Sequence, residues 1–227
     1  MALILSIETA TPVCSVALHH HGIIKASSHL FVEQSASSKL AVMIDELLQR
    51  CQVATGELNA IAVSAGPGSF TGLRIGVATA KGMCYTLNIP LIAVNTLEIL
   101  VKQMAKHTPD ETLLCPMLDA RRMEVYCMLT SANGQVIEPT SAKIIDTESF
   151  GSWLIKNKII FFGSGALKCK EVIQNDNAIF FTDIAPSAEE LGELAFEKFR
   201  RDQLENVFEF EPFYLKDFLI KKPTTHP

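Results

Sequence analysis

A glycine-rich loop between two apolar segments carries the residues of this chain that are best suited to contact a ligand. It reads Gly66-Pro67-Gly68-Ser69-Phe70-Thr71-Gly72-Leu73-Arg74. The preceding residues 61–65 are predicted to form a buried strand, and 73–87 a helix. Glycine is needed where the backbone turns with positive φ or approaches other atoms closely, and a loop that leads into a helix directs free N–H groups towards anions. The alternative interpretation is a tight turn that binds no ligand.

A second polar group, Glu8-Thr9-Ala10-Thr11, follows the first predicted strand. Its threonine hydroxyls either donate to a phosphate or close the turn on its own backbone, and turn threonines usually do the latter. Together the two segments supply the residues that we predict to lie near any bound nucleotide: Thr9, Thr11, Gly66, Gly68 and Ser69.

Few residues of this sequence are arranged to bind a metal ion or to act as a nucleophile. The run of three histidines, 19–21, falls at a predicted turn, and neighbouring strand residues point to opposite faces, so it favours a solvated turn over a metal site. No G-x-S-x-G motif is present, and Ser69 has no histidine near it in sequence. We therefore predict neither a catalytic residue nor a metal site.

Composition restricts the class of protein further. A chain of 227 residues with 48% hydrophobic residues is globular, and its net charge of −5 is unlike that of a stand-alone RNA-binding protein. If RNA is involved, a partner is expected to supply most of the phosphate contacts. The six cysteines contain no C-x-x-C pair, which predicts buried, reduced thiols and a cytoplasmic location. No apolar run reaches the roughly 18 residues of a membrane span.

The order of predicted elements occurs about twice along the chain. Each half contains three strands in a meander, a helix, a strand and a further helix. The predicted strands are 2–8, 14–20, 23–29, 61–65 and 89–94 in the first half, and 113–119, 124–130, 135–145, 158–162 and 179–182 in the second. The predicted helices are 40–51, 73–87, 96–106, 148–156 and 188–201. A polar linker near 107–112 separates the halves, so we predict two α/β lobes, 1–107 and 108–227.

The helix predicted at 73–87 is apolar around almost its whole circumference, although a surface helix normally has a broad polar face. Gly72, Gly76 and Ala80 form a ridge of small residues where another helix can approach closely. We predict a partner interface with the outer face of 39–51; the alternative is a helix buried within its own monomer. The candidate interface residues are Gly72, Arg74, Gly76, Val77, Ala80, Lys81, Met83 and Cys84, with Met43 and Leu47 from the preceding helix.

The glycine-rich nonapeptide resembles the signature of the TsaB (also called YeaZ) family. Residues 7–10 with 14–18 resemble the N-terminal hairpin of that family, 118–126 its mid-chain motif and 211–216 its C-terminal segment. The resemblance covers residues 3–131 in sequence, whereas 132–205 matches only in layout.

This resemblance implies a two-lobed actin/sugar-kinase/Hsp70-like (ASKHA) fold whose N-terminal lobe docks a partner. It further implies a role as the partner of TsaD in forming N6-threonylcarbamoyladenosine in tRNAs that read codons starting with A. The implied partners are TsaD in a heterodimer and TsaE in a larger complex, with a homodimer when TsaD is absent. Contact with tRNA would be indirect, and ATP or ADP would lie at the interface with TsaD.

The sequence departs from its catalytic relatives at the positions that matter for chemistry. Glu8 and Ala10 stand where nucleotide-using members of the superfamily carry Asp and Gly. Thr96 and Leu100 stand where the TsaD relatives carry a metal-binding His-x-x-x-His pair. These differences favour a partner without its own activity. The alternatives are a small ATP-binding phosphotransferase or ATPase and, with less support, a metalloprotease.

Overall fold

Two five-stranded sheets with the same strand order form the frame of the chain, in a computed structural model that describes residues 2–32 and 36–215. The first sheet, in the order β3-β2-β1-β4-β5, contains β1 (Leu3–Glu8), β2 (Cys14–His20), β3 (Ile23–Leu30), β4 (Ala60–Gly66) and β5 (Leu91–Asn95). The second, in the order β8-β7-β6-β9-β10, contains β6 (Leu113–Asp119), β7 (Glu124–Ser131), β8 (Val136–Ile144), β9 (Ile159–Phe162) and β10 (Ala178–Phe181).

Strand directions repeat in the same way in the two sheets. β1, β2 and β3 form an antiparallel meander, and β4 and β5 extend it by parallel pairing. β6, β7 and β8 form the second meander, which β9 and β10 extend in parallel. The duplicated layout that the sequence predicts is therefore confirmed.

In the part of the chain that the structure describes, six α-helices cover these sheets: α1 (Ala36–Arg50), α2 (Phe70–Leu87), α3 (Thr96–Ala105), α4 (Gly151–Leu154), α5 (Ala166–Lys170) and α6 (Ala188–Arg200). Helix α2 begins three residues before the predicted start, because the Ser69 hydroxyl caps it by accepting the Gly72 N–H at 3.3 Å. The helix predicted at 148–156 is only the four residues of α4, and α5 is an element that the sequence did not predict.

Helix α6 packs against the first sheet, although the predicted division at 107/108 assigns it to the second lobe. Its Leu191 lies in an apolar cluster with Ile4 and Ile92. Lys198 donates from Nζ to the carbonyl oxygen of Ala93 at 2.7 Å. The reason is burial: α1 and α2 cover one face of the first sheet, and α6 covers the apolar side chains of the other.

The interior of the protein contains most of the cysteines. It also includes an apolar cluster that joins α3 to the second sheet. All six cysteines are free, and every one except Cys51 is buried. Leu97 and Leu100 of α3 pack in a cluster with Leu114 and Phe162 of the second sheet. Within residues 2–32 and 36–215, no helix combines the length and hydropathy that crossing a bilayer requires.

We predict that replacing Gly192 with alanine lowers the free energy of unfolding by about 3 kcal/mol. The added Cβ would overlap the ring of His19, which is buried in β2 beneath α6 and does not lie in the solvated turn predicted from the sequence. Gly82→Ala in α2 is the matched control, because that Cβ would meet no described atom within 4 Å and alanine favours a helix over glycine by about 1 kcal/mol. Urea unfolding measures both variants, and a Gly192→Ala protein as stable as the wild type would contradict this packing.

Candidate functional site

The glycine-rich loop and the first turns of α2 lie directly against the turn between β1 and β2. A Cβ on Gly68 would overlap the carbonyl oxygen of Ala10. A Cβ on Gly72 would overlap the Thr9 carbonyl oxygen, and one on Gly76 the Thr9 hydroxyl. Neither Gly68 nor Gly72 has positive φ, so these glycines are needed for close approach to the chain's own backbone.

The polar groups of this contact are hydrogen bonded to one another. The Thr9 hydroxyl donates to the carbonyl oxygen of Gly72 at 2.8 Å, and the Ser69 N–H donates to that of Ala10 at 2.7 Å. Thr9 is fully buried, whereas the Thr11 hydroxyl is buried without a hydrogen-bond partner among the described residues. The residues predicted from the sequence therefore do lie together, but most of their polar groups form hydrogen bonds within the chain.

The C-terminal segment, residues 205–215, closes the loop from the other side. Gly66 has a φ of 105°, and a side chain there would lie 2.8 Å from the carbonyl oxygen of Phe213. The Phe213 N–H donates to the carbonyl oxygen of Ala65 at 2.7 Å, and the Tyr214 ring lies 5.1 Å from that of Phe70. The loop is therefore packed against its own chain on both sides.

The glycine turn of the second sheet is also filled by its own chain. A Cβ on Gly163 would overlap the carbonyl oxygen of Met117, and one on Gly165 would lie 2.8 Å from Val125. Here its glycines serve packing against β6 and β7.

Glu8 is the most strongly perturbed acid of the site. Burial raises its pKa to about 7, and the hydrogen bond from the Ala10 N–H to Oε1, at 2.6 Å, only partly opposes that shift. Its buried Oε2 makes no hydrogen bond of normal geometry among the described residues, although the nearby Ser64 hydroxyl also acts to lower the pKa. In the absence of a nearby cation, the carboxyl is therefore largely protonated below pH 7.

The ridge of small residues on α2 faces inwards, which corrects the predicted interface. Gly72, Gly76, Val77, Ala80 and Cys84 are all buried in the monomer, as are Met43 and Leu47 of α1. Val77, Ala80 and Cys84 pack with Met43 and Leu47 in one core cluster between α1, α2 and the first sheet, whereas the two glycines lie against Thr9. The alternative interpretation, a helix side buried within its own monomer, is correct for these residues.

The remaining interface candidates lie at the edge of this core. Lys81 donates from Nζ to the carbonyl oxygens of Phe208 and Phe210 at 3.2 and 2.9 Å, so it holds the C-terminal segment on α2. Arg74 is exposed, with its guanidinium 4.5 Å from the centre of the Phe70 ring. Met83 is half-buried.

A different stripe of α2 faces outwards, and we call it the outer stripe: Thr71, Arg74, Ala78, Gly82 and Tyr85. A Cβ on Gly82 would meet no described atom within 4 Å. Tyr85 is 69% exposed, with its ring 5.8 Å from that of Phe208, and the exposed face of α1 adds Val42 at 51%. Of the residues in this stripe, only Arg74 is among the interface candidates predicted from the sequence.

The two positions that the sequence resemblance matches to a metal-binding histidine pair belong to the core. Thr96 and Leu100 lie in the first half of α3 and are fully buried. The Asn95 side chain caps this helix by accepting the Leu97 N–H at 2.8 Å. Among the residues that the structure describes, no cluster of three His, Cys, Asp or Glu side chains is arranged to hold a metal ion.

A cavity of about 640 Å³ lies elsewhere, where β3, the end of α3 and the start of α6 meet. Its walls include His29, Lys106 and Glu189, and His29 Nε2 lies 3.1 Å from Glu189 Oε1. None of the predicted nucleotide or interface residues lines this cavity.

Comparison with known proteins identifies relatives across most of the chain. The family model for TsaD, tRNA N6-adenosine threonylcarbamoyltransferase, matches residues 31–223. The chain is 32% identical over 181 residues to the tRNA threonylcarbamoyladenosine biosynthesis protein TsaB of Bacillus subtilis, covering 76% of this chain and 75% of that protein. The TsaB protein of Haemophilus influenzae is 26% identical over 224 residues, 94% of this chain and 93% of that protein.

Solved structures agree with these sequence relatives. YeaZ from Pseudomonas aeruginosa superposes with a TM-score of 0.79 at 28% identity, covering 95% of this chain and all of that one. Component A of the Acidaminococcus fermentans (R)-2-hydroxyglutaryl-CoA dehydratase superposes with a TM-score of 0.52 at 9% identity, over 89% of this chain and all of that one, and shows the fold alone. The predicted actin-like, two-lobed fold is confirmed.

We predict that stability falls as pH rises from about 5 to 8 because of Glu8. Its folded pKa of about 7 exceeds the value of 4.5 expected when unfolded, so the folded state binds more protons in this range. The full effect is about 3 kcal/mol. Glu8→Gln keeps the acceptor for the Ala10 N–H without a charge, and should remove this slope. Urea unfolding at several pH values tests it, with the exposed Glu209→Gln as control; an unchanged slope in Glu8→Gln would refute the assignment.

Proposed function

The chain belongs to the TsaB (YeaZ) family, and we propose that it acts in tRNA threonylcarbamoyladenosine biosynthesis as a partner of TsaD without activity of its own. It docks TsaD and helps to shape the site where TsaD transfers threonylcarbamoyl to adenosine. TsaE joins the pair in a larger complex in the cytoplasm. Without TsaD, the same surface pairs with a second copy of this chain.

The packing of the β1–β2 turn is the observation that supports the proposed absence of catalytic activity in this chain alone. The backbone positions that would cradle a phosphate are filled by Thr9 and Ala10. Thr96 and Leu100 offer no imidazole at the metal-binding positions of TsaD. A nucleotide belongs, in this proposal, to the junction with TsaD, where that protein supplies most of the contacts.

The outer stripe of α2 is the docking surface in this proposal. An interior helical glycine costs about 1 kcal/mol relative to alanine, and Gly82 has no packing reason within the described part of its own chain. Small residues such as Ala78 and Gly82 let two helix backbones approach closely. Tyr85 and Val42 add exposed apolar surface beside them, which is typical of partner sites.

The proposal is tested by mixing the purified chain with TsaD and measuring co-elution and threonylcarbamoyladenosine formation. We expect each protein alone to be inactive towards tRNA and the chain to co-elute with TsaD. Modification of tRNA by this chain alone, or one tightly bound transition metal per chain, would overturn the assignment of a non-catalytic partner.

We predict that Gly82→Arg weakens TsaD binding by about 100-fold, since a long charged side chain would lie at the centre of a close helix crossing. The variant should keep the circular-dichroism spectrum and stability of a folded monomer, because its side chain enters open space. Sedimentation and titration with TsaD measure both properties.

Two variants make this test specific. Gly151→Arg makes the same change at an open helical glycine of α4 in the second lobe, and should bind TsaD normally. Ala80→Arg places the same charge in the core and should unfold the chain. If Gly82→Arg binds TsaD with unchanged affinity, the outer stripe is not the docking surface.

A further inference from the structure

The turn between β6 and β7 adopts a backbone conformation that its residues disfavour. Arg121 has a φ of 69° and Arg122 a φ of 50°, so two successive non-glycine residues lie in the left-handed region. Glycine and asparagine occupy this region at the least cost, whereas other residues cost about 1 kcal/mol or more each. Glycine or asparagine would therefore fit these positions better than arginine.

A network centred on Lys168 holds the turn in this shape. The Lys168 Nζ donates to Asp119 Oδ1 at 2.5 Å and to the carbonyl oxygens of Arg122 and Glu124 at 2.7 and 2.6 Å. The Arg121 N–H donates to the same Asp119 oxygen at 2.8 Å. The carboxylate at the base of the turn is therefore paired with Lys168, and not with an arginine side chain.

The two arginine side chains are left available to solvent. Both residues are exposed, and among residues 2–32 and 36–215 neither guanidinium forms a hydrogen bond or an ion pair. Two adjacent, unpaired guanidinium groups on a fixed turn suit phosphate oxygens, which arginine binds by paired hydrogen bonds. They form a local positive site on a chain whose net charge is −5.

We propose that Arg121 and Arg122 contact the phosphate backbone of the tRNA that is modified, an inference that rests on the proposed function. A free nucleotide is disfavoured here, because the neighbouring glycine turn at Gly163 and Gly165 is closed by Met117 and Val125 and leaves no cradle for a nucleoside. An exposed pair of this kind suits an extended polyanion, whose phosphates it meets at the surface. The tRNA contact is then direct, in contrast to the indirect contact expected from the sequence.

The test replaces both residues, as Arg121→Gln and Arg122→Gln together, and measures tRNA binding by the complex of this chain with TsaD. We expect about tenfold weaker binding at moderate salt and a salt dependence (log K against log salt) shallower by about 1.4 to 1.8. The KM for tRNA should rise, whereas kcat and the dependence of the rate on ATP should stay unchanged. The control is Arg200→Gln with Arg201→Gln, which removes the same charge from the exposed end of α6 and should leave tRNA binding unchanged.

A second pair of substitutions separates charge from folding. Arg121→Asn with Arg122→Gly installs the residues that this backbone favours, and should raise the midpoint of thermal unfolding while weakening tRNA binding to the same extent. Unchanged tRNA binding in both double variants would overturn the inference. A change in the KM for ATP with tRNA binding intact would also overturn it, in favour of a free-nucleotide site.

Failure of the proposed function gives a different result. If the wild-type chain neither binds TsaD nor supports tRNA modification, the proposed function fails. The inference is then judged by the binding of tRNA to the wild-type chain and the two double variants alone at low salt. Binding that is weakened by the turn substitutions and not by the α6 control supports it, and the absence of any difference refutes it.

Discussion

The contact between the β1–β2 turn and the start of α2 fixes the arrangement of the first lobe. β1 is the central strand of its sheet, so a helix that lies on the end of β1 is placed relative to every other strand. Side chains at Gly68, Gly72 and Gly76 would overlap Thr9 or Ala10, so the contact depends on glycine at these positions. Because α2 approaches so closely there, its next residues, Val77 and Ala80, are brought into the core.

The same contact limits what the first lobe can do chemically. A phosphate-binding loop must leave its N–H groups and hydroxyls free for the ligand, whereas here Thr9 and Ser69 use theirs to join the turn to the helix. Glu8 is buried, and one of its oxygens makes no hydrogen bond of normal geometry among the described residues, so its neutral form is favoured in the absence of a nearby cation.

The sequence predicted the strands and their duplicated order because buried strands and short turns leave a local pattern. It did not predict which side of α2 is buried, since a helix that is apolar on nearly all sides gives no periodic signal to choose between faces. The return of α6 to the first sheet was also missed, because the Ser15 hydroxyl and the Ala188 N–H that it accepts are 173 residues apart in sequence. Sequence spacing cannot report that contact.

Gly82 and the Arg121–Arg122 pair share a property that connects local propensity with function. Each costs folding free energy where a common alternative residue would cost less: alanine for the helical glycine, glycine or asparagine for the left-handed arginines. At Gly72 and Gly192 the close approach of Thr9 and His19 explains such a cost within the chain. No described contact does so for Gly82 or for the arginine side chains. Such a residue type is unfavourable in its backbone conformation, and no neighbouring residue requires it. Its presence is most simply explained by contact with another molecule.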